Sequence, residues 1–210
     1  MKTAELLCRS VYGIVLSCCL LFTFVSLQGE PITEPKEISE TGQRYLETTA
    51  ESSGVVSWVR TENPPTPSGR VAFGFNTTTN EVQLYLPPKW GPFGSIEMTD
   101  ERGQRLRKTE LGSKLISLSR TNTFDRSHFQ RHYGWKRLWP YMAHPMGEGA
   151  TALSFPSPEQ LFRIERPGAY KITMEIQVLT PAKGRLGPLR VISFPAMVIP
   201  IEIPATAIRK

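Results

Sequence analysis

The sequence predicts an all-β protein, because short alternating segments and frequent turn residues dominate it and no long amphipathic helix is visible. The clearest segment runs from Tyr170 to Val178, where apolar and polar residues alternate without interruption. A period of two belongs to a strand with one buried face. Residues 71–75 and 82–86 alternate in the same way around a polar turn cluster at 76–80, and they predict a hairpin.

A sharp turn precedes the strand at Tyr170. Phe162 and Ile164 alternate with polar residues, and the Pro167-Gly168 pair then supplies a fixed φ followed by a free one. The run 164–170 (IERPGAY) resembles the corner of an immunoglobulin-like sandwich, in which such a turn precedes a tyrosine at the start of the penultimate strand. The resemblance implies an immunoglobulin-like antiparallel β-sandwich of about seven to nine strands.

The first 29 residues have the pattern of a targeting segment. Two basic residues near the start are followed by an uncharged apolar run at 11–27 and then by an acidic stretch. This pattern predicts a signal peptide or signal anchor over 1–29, and hence an exported protein that is secreted, periplasmic or on the cell surface. The alternative is a single-pass protein anchored by residues 11–27. All three cysteines lie in this segment, so cleavage would leave a chain without a disulfide or a thiolate.

The remainder divides into a polar lead and one domain. Residues 30–53 contain two prolines and no sustained apolar period, and they predict a flexible polar lead. The β-sandwich domain is expected over 54–210, beginning with a short strand at 55–59 and ending with a proline-punctuated edge strand at 198–203.

Charge is distributed unevenly along the chain. Residues 30–62 hold seven acidic and three basic side chains, whereas residues 63–147 hold twelve basic and six acidic ones. A positive middle attracts anionic partners such as glycans, phospholipid head groups or nucleic acid, but scattered surface lysine and arginine are the simpler explanation. Nucleic acid is not expected as a partner, and the membrane is expected to matter only through an uncleaved N-terminal segment.

One segment, at about 120–150, does not fit the sandwich pattern and predicts a long aromatic and basic loop. Loops on a rigid scaffold commonly carry binding residues, and exposed aromatic side chains beside arginine bind proteins or sugars. Capping of an open end of the sandwich is the competing interpretation, because large aromatic side chains are mostly buried. The candidate binding residues are Phe129, Arg131, Tyr133, Trp135, Arg137, Trp139 and Tyr141.

The same segment contains all three histidines and carries the alternative hypothesis of a catalytic or metal site. His128 and His132 would share a face of one helical turn, and His144 would complete a three-nitrogen site. A set of Asp125, Ser127 and His128 has the residue types of a hydrolytic triad, but adjacent side chains point apart. None of the usual catalytic or phosphate-binding motifs is present, and no cofactor is expected.

The sequence therefore favours a non-catalytic module, exported or tethered to a membrane. It would bind a protein, a glycan or another anionic partner, or serve a structural role in the cell envelope. The alternative is a small metal-dependent or hydrolytic enzyme that uses the three histidines.

Overall fold

The computed structural model describes residues 35–63, 65–88, 92–148, 151–182 and 187–207. The predicted targeting segment at 1–29 lies outside these residues. The all-β prediction is confirmed, since strands account for most of the regular structure. The described strands are β1 (Lys36–Glu40), β2 (Gln43–Ser52), β3 (Val55–Glu62), β4 (Val71–Thr77), β5 (Val82–Leu86), β6 (Phe93–Asp100), β7 (Thr123–Phe124), β8 (Trp139–Pro145), β9 (Leu153–Phe155), β10 (Gly168–Pro181), β11 (Leu189–Ser193) and β12 (Met197–Ile203). The α-helices of the described residues are α1 (Arg126–Tyr133) and the short α2 (Pro158–Leu161).

The long strand β10 is the centre of the sheet. From Tyr170 to Gln177 it pairs with β6, and from Gly168 to Met174 it pairs on its other side with β12. Beyond that point it pairs with β11 and, at Leu179, with β5. The hydrogen-bonded order is β1-β2-β3-β4-β8-β5-β10-β11-β7, with β6 and β12 also on β10 and β9 on β4. The pairings between the described strands are antiparallel, except for a short parallel one between β4 and β8.

A single large core lies between two groups of strands. The inward residues of β10, among them Ile172 and Met174, are almost fully buried. They belong to the same apolar cluster as Val59 of β3 and Phe73 and Phe75 of β4, although these strands lie far from β10 in the hydrogen-bonded order. The sheet therefore curves over one shared core, whose burial is the main source of stability.

The segment before β10 contains a bend at Arg166 and is not the strand that the alternation of Phe162 and Ile164 suggests. Gly168, which follows Pro167, takes a positive φ of 144°. The Tyr170 hydroxyl donates to the Arg166 carbonyl oxygen at 2.8 Å, so the tyrosine side chain bridges back across the turn. Burial is the main reason that the pKa of Tyr170 is raised, so this hydroxyl stays protonated and remains a donor.

Residues 36–52 are not the flexible lead that the sequence predicts. They form the hairpin of β1 and β2, joined by Thr41 and Gly42 with φ of 49° and 83°. Strand β2 then pairs with β3 along its length from Tyr45 to Ser52. Only Thr48 and Ala50 of β2 are buried, so backbone pairing to β3 holds this strand with little apolar patterning. The folded domain therefore begins near residue 36 and not at residue 54.

Close contact between Trp58 and Gly74 in neighbouring strands provides a test of packing. A Cβ atom at Gly74 would lie 2.3 Å from Cζ2 of Trp58, which is only 7% exposed. We expect Gly74→Ala to lower the free energy of unfolding by about 1–3 kcal/mol through overpacking, measured by urea denaturation. In a Trp58→Ala background the same change should cost much less. An equal loss of unfolding free energy in both backgrounds would show that the clash with Trp58 is not the cause.

Candidate functional site

The aromatic and basic segment is not one long loop, as the sequence predicts, because it contains β7, α1 and β8. Asp125 caps the N-terminus of α1 by accepting from the Ser127 backbone N–H at 3.3 Å and from its hydroxyl at 2.7 Å. These bonds from Ser127 are the main reason that the pKa of Asp125 is lowered. Gly134 ends the helix with φ of 67°, and its N–H donates to the Gln130 carbonyl at 3.1 Å. Both caps are local, so the sequence itself delimits this helix.

The helix covers a second, smaller apolar cluster. Phe129, 1% exposed, lies against the Phe93 ring of β6 at a centroid distance of 5.5 Å. The Trp135 ring is stacked on Phe129 at 6.0 Å with an interplanar angle of 5°. The buried members of this cluster are Tyr85, Phe93, Leu118, Phe124, Phe129, Leu179 and Leu189. Phe129 is thus a core residue and does not belong to a contact surface, and Trp135 is half-buried beside it.

Tyr141, another candidate binding residue, is also buried. Its hydroxyl accepts from the Phe75 N–H at 3.3 Å and donates to the Thr151 carbonyl at 2.8 Å. Burial raises the pKa of Tyr141, so the hydroxyl is protonated at neutral pH. This side chain satisfies backbone groups beside β4 and takes no part in an outward surface.

The remaining candidates Arg131, Tyr133, Arg137 and Trp139 are exposed, and so is Met142, which was not a candidate. We call the exposed side chains of this segment the aromatic surface: Arg131, Tyr133, Arg137, Trp139 and Met142. Every large apolar side chain found exposed among the described residues lies between Tyr133 and Met146. Trp139 is 50% exposed and Met146 is 65% exposed. Sequence reasoning missed Met142 and Met146. The alternation of β8 was the available signal for Met142, because its neighbours Tyr141 and Ala143 both point inward.

The aromatic surface is anchored on the smaller cluster. Tyr133 stacks on Trp135 at a centroid distance of 5.1 Å, and Trp135 in turn stacks on buried Phe129. A shallow cavity of about 470 Å³ lies beside Trp139 and is lined by Pro88, Arg137, Leu138, Trp139 and Pro140. The exposed Tyr133 ring is therefore supported by packed neighbours, which reduces the entropy lost on binding.

The histidines do not come together as a three-nitrogen site. His128 and His132 share a face of α1, with ring centroids 4.4 Å apart. His144 lies on β8, and its Nδ1 is 2.8 Å from a carboxylate oxygen of Glu81. Within the described ranges, no three His, Cys, Asp or Glu side chains form a group that could hold a metal ion. The Ser127 hydroxyl donates to Asp125, so it does not point its proton at His128 as a triad requires.

A buried glutamine positions the chain that leads into α1. Gln177 of β10, 3% exposed, accepts from the Leu118 N–H at 2.7 Å and donates to the Leu118 carbonyl at 3.0 Å. It also donates to the Ser193 hydroxyl at 3.1 Å. The segment before α1 is thereby attached to the central strand by two hydrogen bonds.

Comparisons with protein-family models, curated proteins and solved structures find no match to this chain. Among the residues that the structure describes, no helix has the length and apolar character needed to cross a membrane.

Replacing Gln177 tests its role as an anchor. Gln177→Leu leaves the buried Leu118 N–H and carbonyl without partners, so we expect a loss of about 2–4 kcal/mol in the free energy of unfolding. Ser193→Ala removes only the third bond and should cost about 1 kcal/mol or less. Urea denaturation measures both, and equal losses would contradict the assigned role.

The pKa of His128 predicts sensitivity of α1 to acid. Desolvation, His132 and Arg131 lower this pKa, and Asp125 opposes them. The lowered pKa means that the folded protein prefers the neutral His128 ring. The stability that this preference provides is fully present above the unfolded-state pKa of about 6.5 and is lost as the pH falls through the pKa of the folded protein. NMR titration of the ring should give a midpoint below about 6.5, lowered further by Asp125→Asn. A midpoint at or above that of a free histidine would contradict the prediction.

Proposed function

We propose that this chain is a non-catalytic, exported or membrane-tethered immunoglobulin-like β-sandwich module that binds another protein through the aromatic surface. Export is supported by the basic and then apolar pattern of residues 1–29. The sandwich form is supported by the shared core between two groups of strands and by the Tyr170 hydroxyl bond across the turn before β10.

The observation that carries the binding proposal is the concentration of exposed apolar side chains. Tyr133, Trp139, Met142 and Met146 are the large apolar residues found exposed in the described part of the chain, and they fall in one short segment. Contiguous exposed apolar patches on soluble proteins commonly mark interaction sites, and we infer that these neighbouring positions contribute to one such site. Tryptophan, tyrosine, methionine and arginine are also enriched in protein interfaces.

The composition of the surface favours a protein partner over a glycan. Methionine side chains adapt to an irregular apolar surface, whereas sugars require many oriented polar groups. Arg131 and Arg137 are exposed beside the apolar residues, and the exposed Lys136 adds a third positive charge. We therefore infer a partner with an apolar contact area bordered by acidic side chains.

Site-specific photo-crosslinking in the source cells identifies the partner. A photoreactive phenylalanine analogue at Trp139 should yield a specific adduct with one protein, because this side chain is half exposed at the proposed interface. The same analogue at Glu51, an exposed position on β2, is the matched control. Adducts that are absent at Trp139, or identical at both positions, would overturn the proposal.

Paired substitutions then separate binding from folding. Trp139→Ala should weaken affinity for the crosslinked partner by about ten- to a hundredfold while the melting temperature holds, because the ring is exposed. Phe129→Ala should instead lower the free energy of unfolding by about 3–5 kcal/mol, because its ring lies in the core. Isothermal titration calorimetry and thermal denaturation measure the two effects. Unchanged affinity in Trp139→Ala would exclude this surface as the interface.

A further inference from the structure

A second surface feature, independent of the aromatic surface, lies at the end of the sheet near Tyr170. Residues 107–109 and 161–163 run side by side in opposite directions. The Arg163 N–H donates to the Arg107 carbonyl at 2.9 Å, and the Thr109 N–H donates to the Leu161 carbonyl at 2.9 Å. The Leu106 N–H donates to the Met98 carbonyl at 2.8 Å, which attaches this pair of segments to β6.

These segments border an open groove of about 400 Å³ that is rich in arginine. Its charged lining consists of Arg105, Arg107, Arg163, Arg166, Asp100 and Glu165. We call this feature the basic groove. Its volume falls within the range of small-molecule sites.

Most of the positive charge in the basic groove is not neutralised within the described part of the chain. Arg105 forms an ion pair with Glu97 at 2.9 Å. The Asp100 carboxylate is occupied by its own turn, since it accepts from the Arg102 N–H at 2.9 Å and the Gln104 N–H at 2.8 Å. Among the described residues, no carboxylate lies within ion-pair distance of Arg107, Arg163 or Arg166.

The pairing of the segments places two of these charges next to each other. Arg163 and Arg107 are joined by a backbone hydrogen bond, and both side chains are exposed. Like charges on neighbouring positions of paired strands repel and destabilise the pairing. An arrangement that keeps them together without an internal counter-ion is favourable when an external anion bridges them.

The chemistry of the groove defines the ligand. Guanidinium groups bind sulfate and phosphate oxygens through paired hydrogen bonds. The Gln104 amide and the Glu165 carboxylate add neutral and acidic partners for hydroxyl groups. Nucleic acid fits less well, because the acidic side chains would face its continuous phosphates and Tyr170, 7% exposed, offers no ring face for stacking.

We propose that the basic groove binds a sugar bearing sulfate or phosphate esters, with Arg107, Arg163 and Arg166 holding the ester oxygens. The ligand's hydroxyl groups contact Gln104 and Glu165. This site is separate from the aromatic surface, so the two binding activities can be lost independently.

Calorimetric titration of the full chain in mild detergent tests the proposal. The probes are sucrose octasulfate, glucose 6-phosphate, inorganic phosphate and a single-stranded DNA oligonucleotide. We expect one-to-one binding of sucrose octasulfate or glucose 6-phosphate, and the stronger of the two distinguishes sulfate from phosphate esters. Binding of the sugar probes no tighter than inorganic phosphate, or weaker than DNA, would overturn the proposal.

Matched variants distinguish binding at the basic groove from nonspecific attraction to the positive charge of the whole chain. Arg107→Ser with Arg163→Ser should weaken binding of the sugar probe by about ten- to a hundredfold. Arg70→Ser with Arg190→Ser removes the same charge from exposed positions elsewhere and should change it little. Equal losses in both pairs would overturn the proposal. The ligand-free Arg163→Ser protein should melt at the same temperature or higher, because repulsion is relieved, and Trp139→Ala should bind the probe normally.

Discussion

The structure depends on β10, whose alternating face is buried while both of its edges are hydrogen-bonded. Its first half pairs with β6 and β12, and near Gln177 it exchanges β12 for β11. Between the two pairings the Phe194 N–H donates to the Ile176 carbonyl at 3.0 Å, and beside this junction Gln177 is hydrogen-bonded to Leu118 and Ser193. A single strand therefore contributes to both apolar clusters, with Ile172 in the large one and Leu179 in the smaller one.

The smaller cluster explains why an apolar surface can exist on this fold. Phe129 and Trp135 connect the buried rings to exposed Tyr133 by successive stacking. An exposed aromatic ring on a flexible loop would collapse onto the nearest apolar neighbour. Here the neighbours are already packed, so the outer ring remains available to solvent. The same residues that stabilise α1 thus hold the proposed interface in place.

The sequence predicts the strands whose two faces differ most in polarity, because burial of one face leaves a period of two at 170–178 and 71–75. It does not predict β1 and β2, because backbone pairing holds them and their side chains are mostly polar. Helix α1 is missed because Phe129 is its only buried residue, although Asp125 and Gly134 mark its ends. Among the candidate binding residues, the sequence cannot separate exposed Trp139 from buried Tyr141. The basic groove is invisible in the sequence, since Arg107 and Arg163 meet only through long-range pairing.

The hairpin at the start of the described fold has a consequence for how partners can approach. Strand β1 pairs with β2 alone among the described strands, and its exposed side chains include Lys36, Glu37 and Glu40. An incoming strand would have to bury these charges, so growth of the sheet by edge addition is disfavoured. A partner that docks at this edge would therefore have to contact side chains, because backbone pairing with β1 is unfavourable. The same charges disfavour sheet-to-sheet association of two copies of this chain through β1.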